Sequence, residues 1–336
     1  MNVAVLSDGG WGTALALLLL KNRHEVSLWG PFSAYVEQMR GARENVKFLP
    51  GVALPAALRL TADLDAAVRG AELMVLAAPS QYMRGLLTRL CETGYPDTAI
   101  FVNVAKGIEV GSLKRMSELV AELCGAVPYV ALSGPSHAEE VARGIPTAVV
   151  AARRDDSLTV PVQSAFMNEN FRVYTSEDIV GVELGGSLKN VLALAAGVCD
   201  GMGFGDNTKA ALMTRGIAEM ARLGQALGGR PDTFSGLSGV GDLIVTCMSR
   251  HSRNRRVGEE LGRGRSLDDI QQGMGGQVAE GVKTAASAYA LARRAGVETP
   301  ILDETYAALY QGKDPRRAVR DLMGRDAKPE QAGGVV

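Results

Sequence analysis

Along the first half of the chain, runs of four to six apolar residues alternate with stretches whose apolar positions recur at helical spacing. Short, nearly continuous apolar runs are what strands buried on both faces require, and helical stretches between them supply the crossovers of a parallel sheet. The pattern predicts strands at Val3–Leu6, Glu25–Trp29, Leu73–Ala77, Ile100–Val104, Tyr129–Leu132, Thr147–Ala151 and Phe171–Tyr174. It predicts helices at Gly12–Lys21, Pro31–Met39, Leu64–Val68, Ser80–Cys91, Leu113–Leu123 and Ser136–Arg143.

From about Ile179 the strand-type runs stop. Val180–Cys199, Lys209–Leu227, Val240–Met248, Asn254–Leu261, Leu267–Gly273, Gly281–Ala295 and Ile301–Tyr310 all carry helical periodicity, separated by Gly, Pro and Asp/Asn breaks. The expected fold class is α/β: an N-terminal, Rossmann-like doubly wound sheet over 1–178, then an all-α domain over 179–326. The polar end, 327–336, reads as a flexible tail. A site in the cleft between the two domains is the natural consequence.

Composition narrows the function classes. With 36 basic and 37 acidic residues among 336, the chain lacks the positive field that nucleic acid or an anionic membrane surface would need. Four scattered cysteines and three histidines show no metal-ligand spacing, and the cysteines read as reduced, buried thiols. The apolar run Ala14–Leu20 is too short to span a bilayer, and no leader is expected before Val3, so the protein reads as soluble and cytoplasmic.

The first candidate site is the loop SDGGWG at 7–12, which follows an apolar strand and precedes a helix. A dinucleotide pyrophosphate needs backbone N–H groups at a helix N-terminus and a turn clear of side chains. Gly9 stands where backbone and phosphate would meet, and Gly12 where the helix packs on the strand. Ser7 occupies the first glycine position and is expected to make the turn with negative φ. Asp8 is expected to point to solvent or cap the following amides. The second strand ends in Trp29-Gly30-Pro31-Phe32, with neither an acid for a ribose hydroxyl nor an arginine for a 2′-phosphate, so NAD and NADP both remain open.

Two further groups carry chemistry. At strand tips, Lys106 beside Gly107 is placed to meet an anion or a carbonyl oxygen, and Ser133-Gly134-Pro135-Ser136 offers amides and hydroxyls; His137 reads as a packing residue. In the second half, VGVELGGSLKNVLALAAGVC at 180–199 is apolar on nearly every side, so Lys189 and Asn190 stand out. A buried lysine has its pKa lowered toward the range of a general base, and the alternative is a lysine whose head reaches the surface. Asp242 is placed to pair with such a lysine. Ser252, Arg253 and Asn254 bring a hydroxyl, a guanidinium and an amide together as a candidate phosphate clamp, with Arg255 and Arg256 read as solvated.

With these residues on the page, the chain resembles the bacterial-type NAD(P)-dependent glycerol-3-phosphate dehydrogenases from Met1 to about Asp326. The blocks RENVKFLPG (43–51), NVAKGIE (103–109), LSGPSHAEEVARGIPTA (132–148), GVELGGSLKNVLALAAG (181–197), DGMGFGDNTKAALMTRGIAEMARLG (200–224), GDLIVTC (241–247), SRNRRVG (252–258) and AEGVKTA (279–285) carry the resemblance. It implies reversible hydride transfer between sn-glycerol 3-phosphate and dihydroxyacetone phosphate, supplying phospholipid synthesis, by a homodimer that takes a small phosphorylated substrate and inserts in no membrane. It implies Lys189 as proton acceptor and a substrate held by Lys106, Gly134, Ser136, Asp242, Ser252, Arg253 and Asn254, with Asn190 beside the reacting oxygen. The implied cofactor contacts are Gly10 and Trp11, next to Gly9 and Gly12, with Lys106, Ala138, Arg253, Val278 and Glu280. The chain departs from the family pattern at Ser7, Asp8, Gly10 and Pro31. A related β-hydroxyacid dehydrogenase shares the Lys-Asn pair but not the phosphate clamp, and a non-catalytic dinucleotide-binding sensor is the remaining alternative.

Overall fold

A computed structural model describes residues 1–155, 157–275, 277–327 and 329–330. Most of the expected tail lies outside the described residues. Ten strands form: β1 (Asn2–Leu6), β2 (Glu25–Trp29), β3 (Glu44–Asn45), β4 (Leu49–Ala53), β5 (Arg59–Thr61), β6 (Leu73–Leu76), β7 (Ile100–Asn103), β8 (Tyr129–Ser133), β9 (Thr147–Ala152) and β10 (Phe171–Ser176). Eight of them make one sheet in the order β10-β9-β8-β7-β6-β1-β2-β5, while β3 and β4 pair as a separate ribbon.

The order reverses between β1 and β6, as in a doubly wound sheet, and the strands from β5 to β8 run parallel. The expectation of an all-parallel sheet is corrected at one edge, because β9 runs antiparallel to β8 and β10 follows β9. Between β8 and β9 the helix is a single turn, Ala138–Val141, rather than the expected Ser136–Arg143. That connection holds too little helix to cover a crossover, so the chain turns back beside itself.

The sequence pattern missed the short strands β3, β4 and β5, whose polar and Pro/Gly-containing segments carry little apolar periodicity. It also missed the helices Thr159–Phe166 and Pro315–Met323, in which Pro161 and Pro315 each sit in the first turn, where proline is tolerated.

The helix Ile179–Gly201 is the axis of the second half. It is long and apolar enough to cross a membrane by composition, yet 89% of its most apolar window is buried inside the fold, so it is a core helix. Asp178 caps it, accepting from the Gly181 amide at 2.9 Å and from the Arg230 amide and Thr233 hydroxyl at 2.8 and 2.6 Å. One turn later Glu183 ties it to the sheet half through Arg115 at 2.7 Å, the Ser117 hydroxyl at 2.6 Å and the Tyr129 hydroxyl at 2.8 Å.

On its other side lies the helix Arg253–Gly262, close enough that a Cβ at Gly258 would fall 2.0 Å from Leu194 O and one at Gly197 1.9 Å from Arg255 O. Arg255 is not the solvated residue expected. It is half-buried and donates to Asp200 at 2.6 Å, while Arg256 is exposed. The cysteine reading is corrected too: Cys199 and Cys247 are buried, but Cys91 is exposed, with its Sγ 3.1 Å from that of Cys124.

Backbone carbonyls cannot swing aside as side chains can, so Gly258→Ala should lower the urea midpoint, with a loss of about 2–3 kcal/mol. Gly85→Ala, in an exposed helix position where a Cβ meets nothing within 4 Å, should raise it slightly through helix propensity. Equal shifts would show that the glycine contact does not hold the two helices together.

Candidate active site

The strand tips after β7 and β8 face the buried flank of the helix Ile179–Gly201. Lys189 emerges there 6% exposed, and Asp242, the first residue of the helix Asp242–Met248, is 1% exposed. Lys189 Nζ donates to Asp242 Oδ1 and, at 2.7 Å, to Thr246 Oγ1. The Thr246 hydroxyl donates in turn to Asp242 O at 2.6 Å, so toward Lys189 it acts as acceptor. Thr246 was not singled out from the sequence; its place one helical turn after Asp242 was the available signal.

The second Asp242 oxygen, Oδ2, accepts from Lys106 Nζ at 2.7 Å, and Lys106 also donates to Gly134 O at 2.9 Å. One carboxylate therefore bridges two lysines. Burial pushes the Lys189 ammonium down to about 8; Asp242 opposes the shift and Lys106 adds to it. For Asp242 burial alone would raise the carboxyl, but Lys106 and Lys189 together hold it below the usual carboxylate range. A solvent-reaching Lys189 is thereby excluded.

Gly134 has φ +141°, and a Cβ there would lie 2.9 Å from Val149 Cα, so only glycine makes this turn. Its carbonyl also accepts from the Ser136 hydroxyl at 2.8 Å. Asn190 is committed to the scaffold. Its amide donates to Lys106 O at 3.1 Å and its oxygen accepts from Asn254 at 2.9 Å, so it ties the Lys106 loop to the start of the helix Arg253–Gly262. Asn254 accepts in turn from the Gly281 amide at 2.9 Å.

Ser252 caps the helix Arg253–Gly262 by accepting from the Arg255 amide at 3.2 Å, which leaves its own proton free to donate. The first intrahelical bond runs from Arg256 N to Ser252 O, so the amides of Arg253 and Asn254 lie ahead of the helical ladder, as anion sites require. Arg253 is exposed and acts electrostatically on Glu280, whose carboxylate accepts from the Ser80 amide at 2.8 Å and is raised by burial. Val278 is half-buried two residues earlier. His137 packs as expected, its ring 5.9 Å from that of His251, and burial lowers its pKa. Among the described residues no group of three or more His, Cys, Asp or Glu side chains could hold a metal ion.

The nucleotide loop differs from expectation at three points. The helix begins at Gly10 rather than Gly12, with Gly9 as its N-cap, so the amides of Gly10, Trp11 and Gly12 precede the first intrahelical bond, Thr13 N to Gly9 O at 2.9 Å. Ser7 turns with φ +140°, not with negative φ, a strain of roughly 1–3 kcal/mol for a residue with a Cβ. Asp8 neither faces solvent nor caps the amides. It is 5% exposed, with Oδ2 beside Gly30, and burial raises it to about 6 against its own backbone amide and Lys47.

The loop fits a dinucleotide. A Cβ at Gly9 would touch only Ser7 Oγ at 3.8 Å, leaving open space, whereas Cβ atoms at Gly10 and Gly12 would strike Phe48 O at 2.5 Å and Ser7 O at 2.1 Å. Ala138 borders Gly10, and Trp11 Nε1 is buried without a partner among the described residues. Asn45, missed in the sequence, braces the loop: its amide donates to Asp8 O and Thr13 Oγ1, both at 2.7 Å.

The family models for the N-terminus and the C-terminus of NAD-dependent glycerol-3-phosphate dehydrogenase match residues 2–159 and 178–320. Curated relatives called glycerol-3-phosphate dehydrogenase (NAD(P)+) include those of Chlorobium luteolum, 51% identical across 98% of this chain and 100% of theirs, and Geobacillus kaustophilus, 52% identical across 98% and 96%. The crystal structure of glycerol-3-phosphate dehydrogenase from Coxiella burnetii superposes with a TM-score of 0.92 at 38% identity, covering 96% of this chain and 98% of that one. Fold, family models and relatives agree, and the chain belongs to the NAD-dependent glycerol-3-phosphate dehydrogenase family.

Proposed function

We propose that this chain interconverts sn-glycerol 3-phosphate and dihydroxyacetone phosphate with NAD or NADP, that Lys189 exchanges the C2 hydroxyl proton, and that residues 1–178 hold the cofactor while 179–326 hold substrate and base. The reading rests above all on the bonding of one nitrogen. A neutral amine has two hydrogens and one lone pair; both hydrogens of Lys189 are spent on Asp242 and Thr246, so the lone pair occupies the remaining direction. That is the geometry of a base, and a pKa of about 8 lets it take up and return a proton near neutral pH.

The nicotinamide ring, when bound, supplies the hydride acceptor or donor. Lys106 keeps one N–H beyond those given to Asp242 and Gly134, and it turns that hydrogen toward negative charge growing on the C2 oxygen. Asp242 fixes the direction of both amines. The Ser252 hydroxyl, the Arg253 guanidinium and the amides of Arg253 and Asn254 hold the phosphate, and this remote contact sets the reacting carbon at Lys189. Gly9, Gly10, Trp11 and Gly12 cradle the pyrophosphate, with Ala138, Val278 and Glu280 around the cofactor. A homodimeric, soluble, cytoplasmic enzyme that supplies phospholipid synthesis accords with this reading.

Lys189→Ala should leave NADH binding nearly unchanged while kcat falls by about 10³-fold, the usual scale for a general base; turnover like the wild type would remove Lys189 from the mechanism. Arg253→Ala should raise KM for glycerol 3-phosphate by about tenfold or more, from the loss of a charge-assisted phosphate contact, with a much smaller change for the cofactor. Similar changes for both ligands would argue against a clamp. Oxidation needs the amine neutral, so its kcat/KM should rise with pH up to about 8 and then level off; reduction needs the ammonium, so its kcat/KM should be level below about 8 and fall above it. A flat profile for oxidation from pH 6 to 10 would contradict the assignment.

A further inference from the structure

Asp8 is a buried carboxylate with no structural reason to be charged. Its Oδ2 has no hydrogen-bond partner among the described residues, and an unpartnered buried carboxylate oxygen is a cost that folding alone does not repay. The position of that oxygen is specific. A Cβ on Gly30 would lie 2.2 Å from Asp8 Oδ2 and 2.7 Å from its Cγ, so the carboxyl fills the volume that a side chain at residue 30 would take. Gly30 directly follows β2, whose last residue, Trp29, is in register with Leu6 at the end of β1. In a doubly wound dinucleotide fold, the end of the second strand is where an acidic side chain meets the adenosine ribose. Here that strand end carries a glycine, and the acid arrives from the neighbouring loop.

We propose that Asp8 is the ribose-recognising acid of this chain, accepting hydrogen bonds from the adenosine 2′- and 3′-hydroxyls and thereby selecting NAD over NADP. The proposal rests on the dinucleotide reading of the 7–12 loop. The carboxyl torsion of aspartate is broad, so a turn about χ2 presents the free oxygen to a ribose hydroxyl. A 2′-phosphate in the same place would set up to two negative charges against the carboxylate.

Lys47 is the cation that acts on the Asp8 carboxylate, and it opposes the effect of burial only in part. Lys47 lies over the Phe48 ring at 5.0 Å, and Arg40 is committed to Leu60 O and Glu37. The Tyr35 hydroxyl, which feels the Asp8 charge, gives its proton to Asn45 at 2.6 Å. Gly30 and Asp8 then form a reciprocal pair: the missing side chain at one makes room for the carboxyl of the other.

Equilibrium binding of NADH and NADPH to the intact protein, followed by the fluorescence of the reduced nicotinamide, tests this without turnover. The wild type should bind NADH more tightly than NADPH. Asp8→Asn should raise the NADH Kd by about tenfold, the loss of a charge-assisted hydrogen bond, and lower the NADPH Kd, with an unchanged circular dichroism melt as the check on folding. A wild type that binds NADPH as tightly as NADH overturns the proposal whatever the variant does, as does an Asp8→Asn protein with an unaltered ratio. A wild type that binds neither dinucleotide would instead remove the cofactor reading of the loop on which the proposal rests.

Discussion

A single buried carboxylate organises the second half of this molecule. Asp242 is almost wholly out of water and stays ionised only because Lys106 and Lys189 approach its two oxygens from opposite halves of the chain. An isolated charge in that position would cost several kcal/mol. Removing either lysine leaves the other over-bound; removing Asp242 leaves two ammoniums facing each other. The sheet tip after β7, the helix Ile179–Gly201 and the helix Asp242–Met248 are thereby held in one arrangement, and that arrangement is the site.

The surrounding packing serves this constraint. Glycines let the helix Arg253–Gly262 lie on the central helix at backbone distance, which brings Asn254 to Asn190 and Ser252 to the rim. Asp178 and Glu183 anchor the start of the central helix to both halves of the chain, so the register that carries Lys189 inward is set six to eleven residues earlier. The carboxylates of Asp178, Glu183 and Asp242 each sit in a hydrogen-bonded network, the form in which buried polar groups specify one geometry rather than weaken the core.

Near the opening loop the balance is different. Ser7 carries a left-handed turn that glycine would make without strain, and Asp8 keeps an oxygen without a partner. Local rules are broken in the loop proposed to hold the dinucleotide, and Asn45 and the Phe48 carbonyl overdetermine it enough to hold it.

Much of this was legible in residue order. Apolar runs of strand length, helical spacing between them and their disappearance after Ile179 announced the α/β-then-α division, because burial on two faces leaves a periodic trace in any chain. Lys189 stood out since a charge inside an apolar helix is rare, and the block SRNRR stood out as a run of donors at a helix start. What residue order could not carry was any relation between distant segments. That β9 reverses direction, that Asp242 is shared by two lysines, that Asn190 bonds the Lys106 carbonyl, and that the carboxyl of Asp8 fills the space beside Gly30 are facts of approach between segments up to 136 residues apart. Such contacts depend on packing distance and direction, which periodicity does not encode.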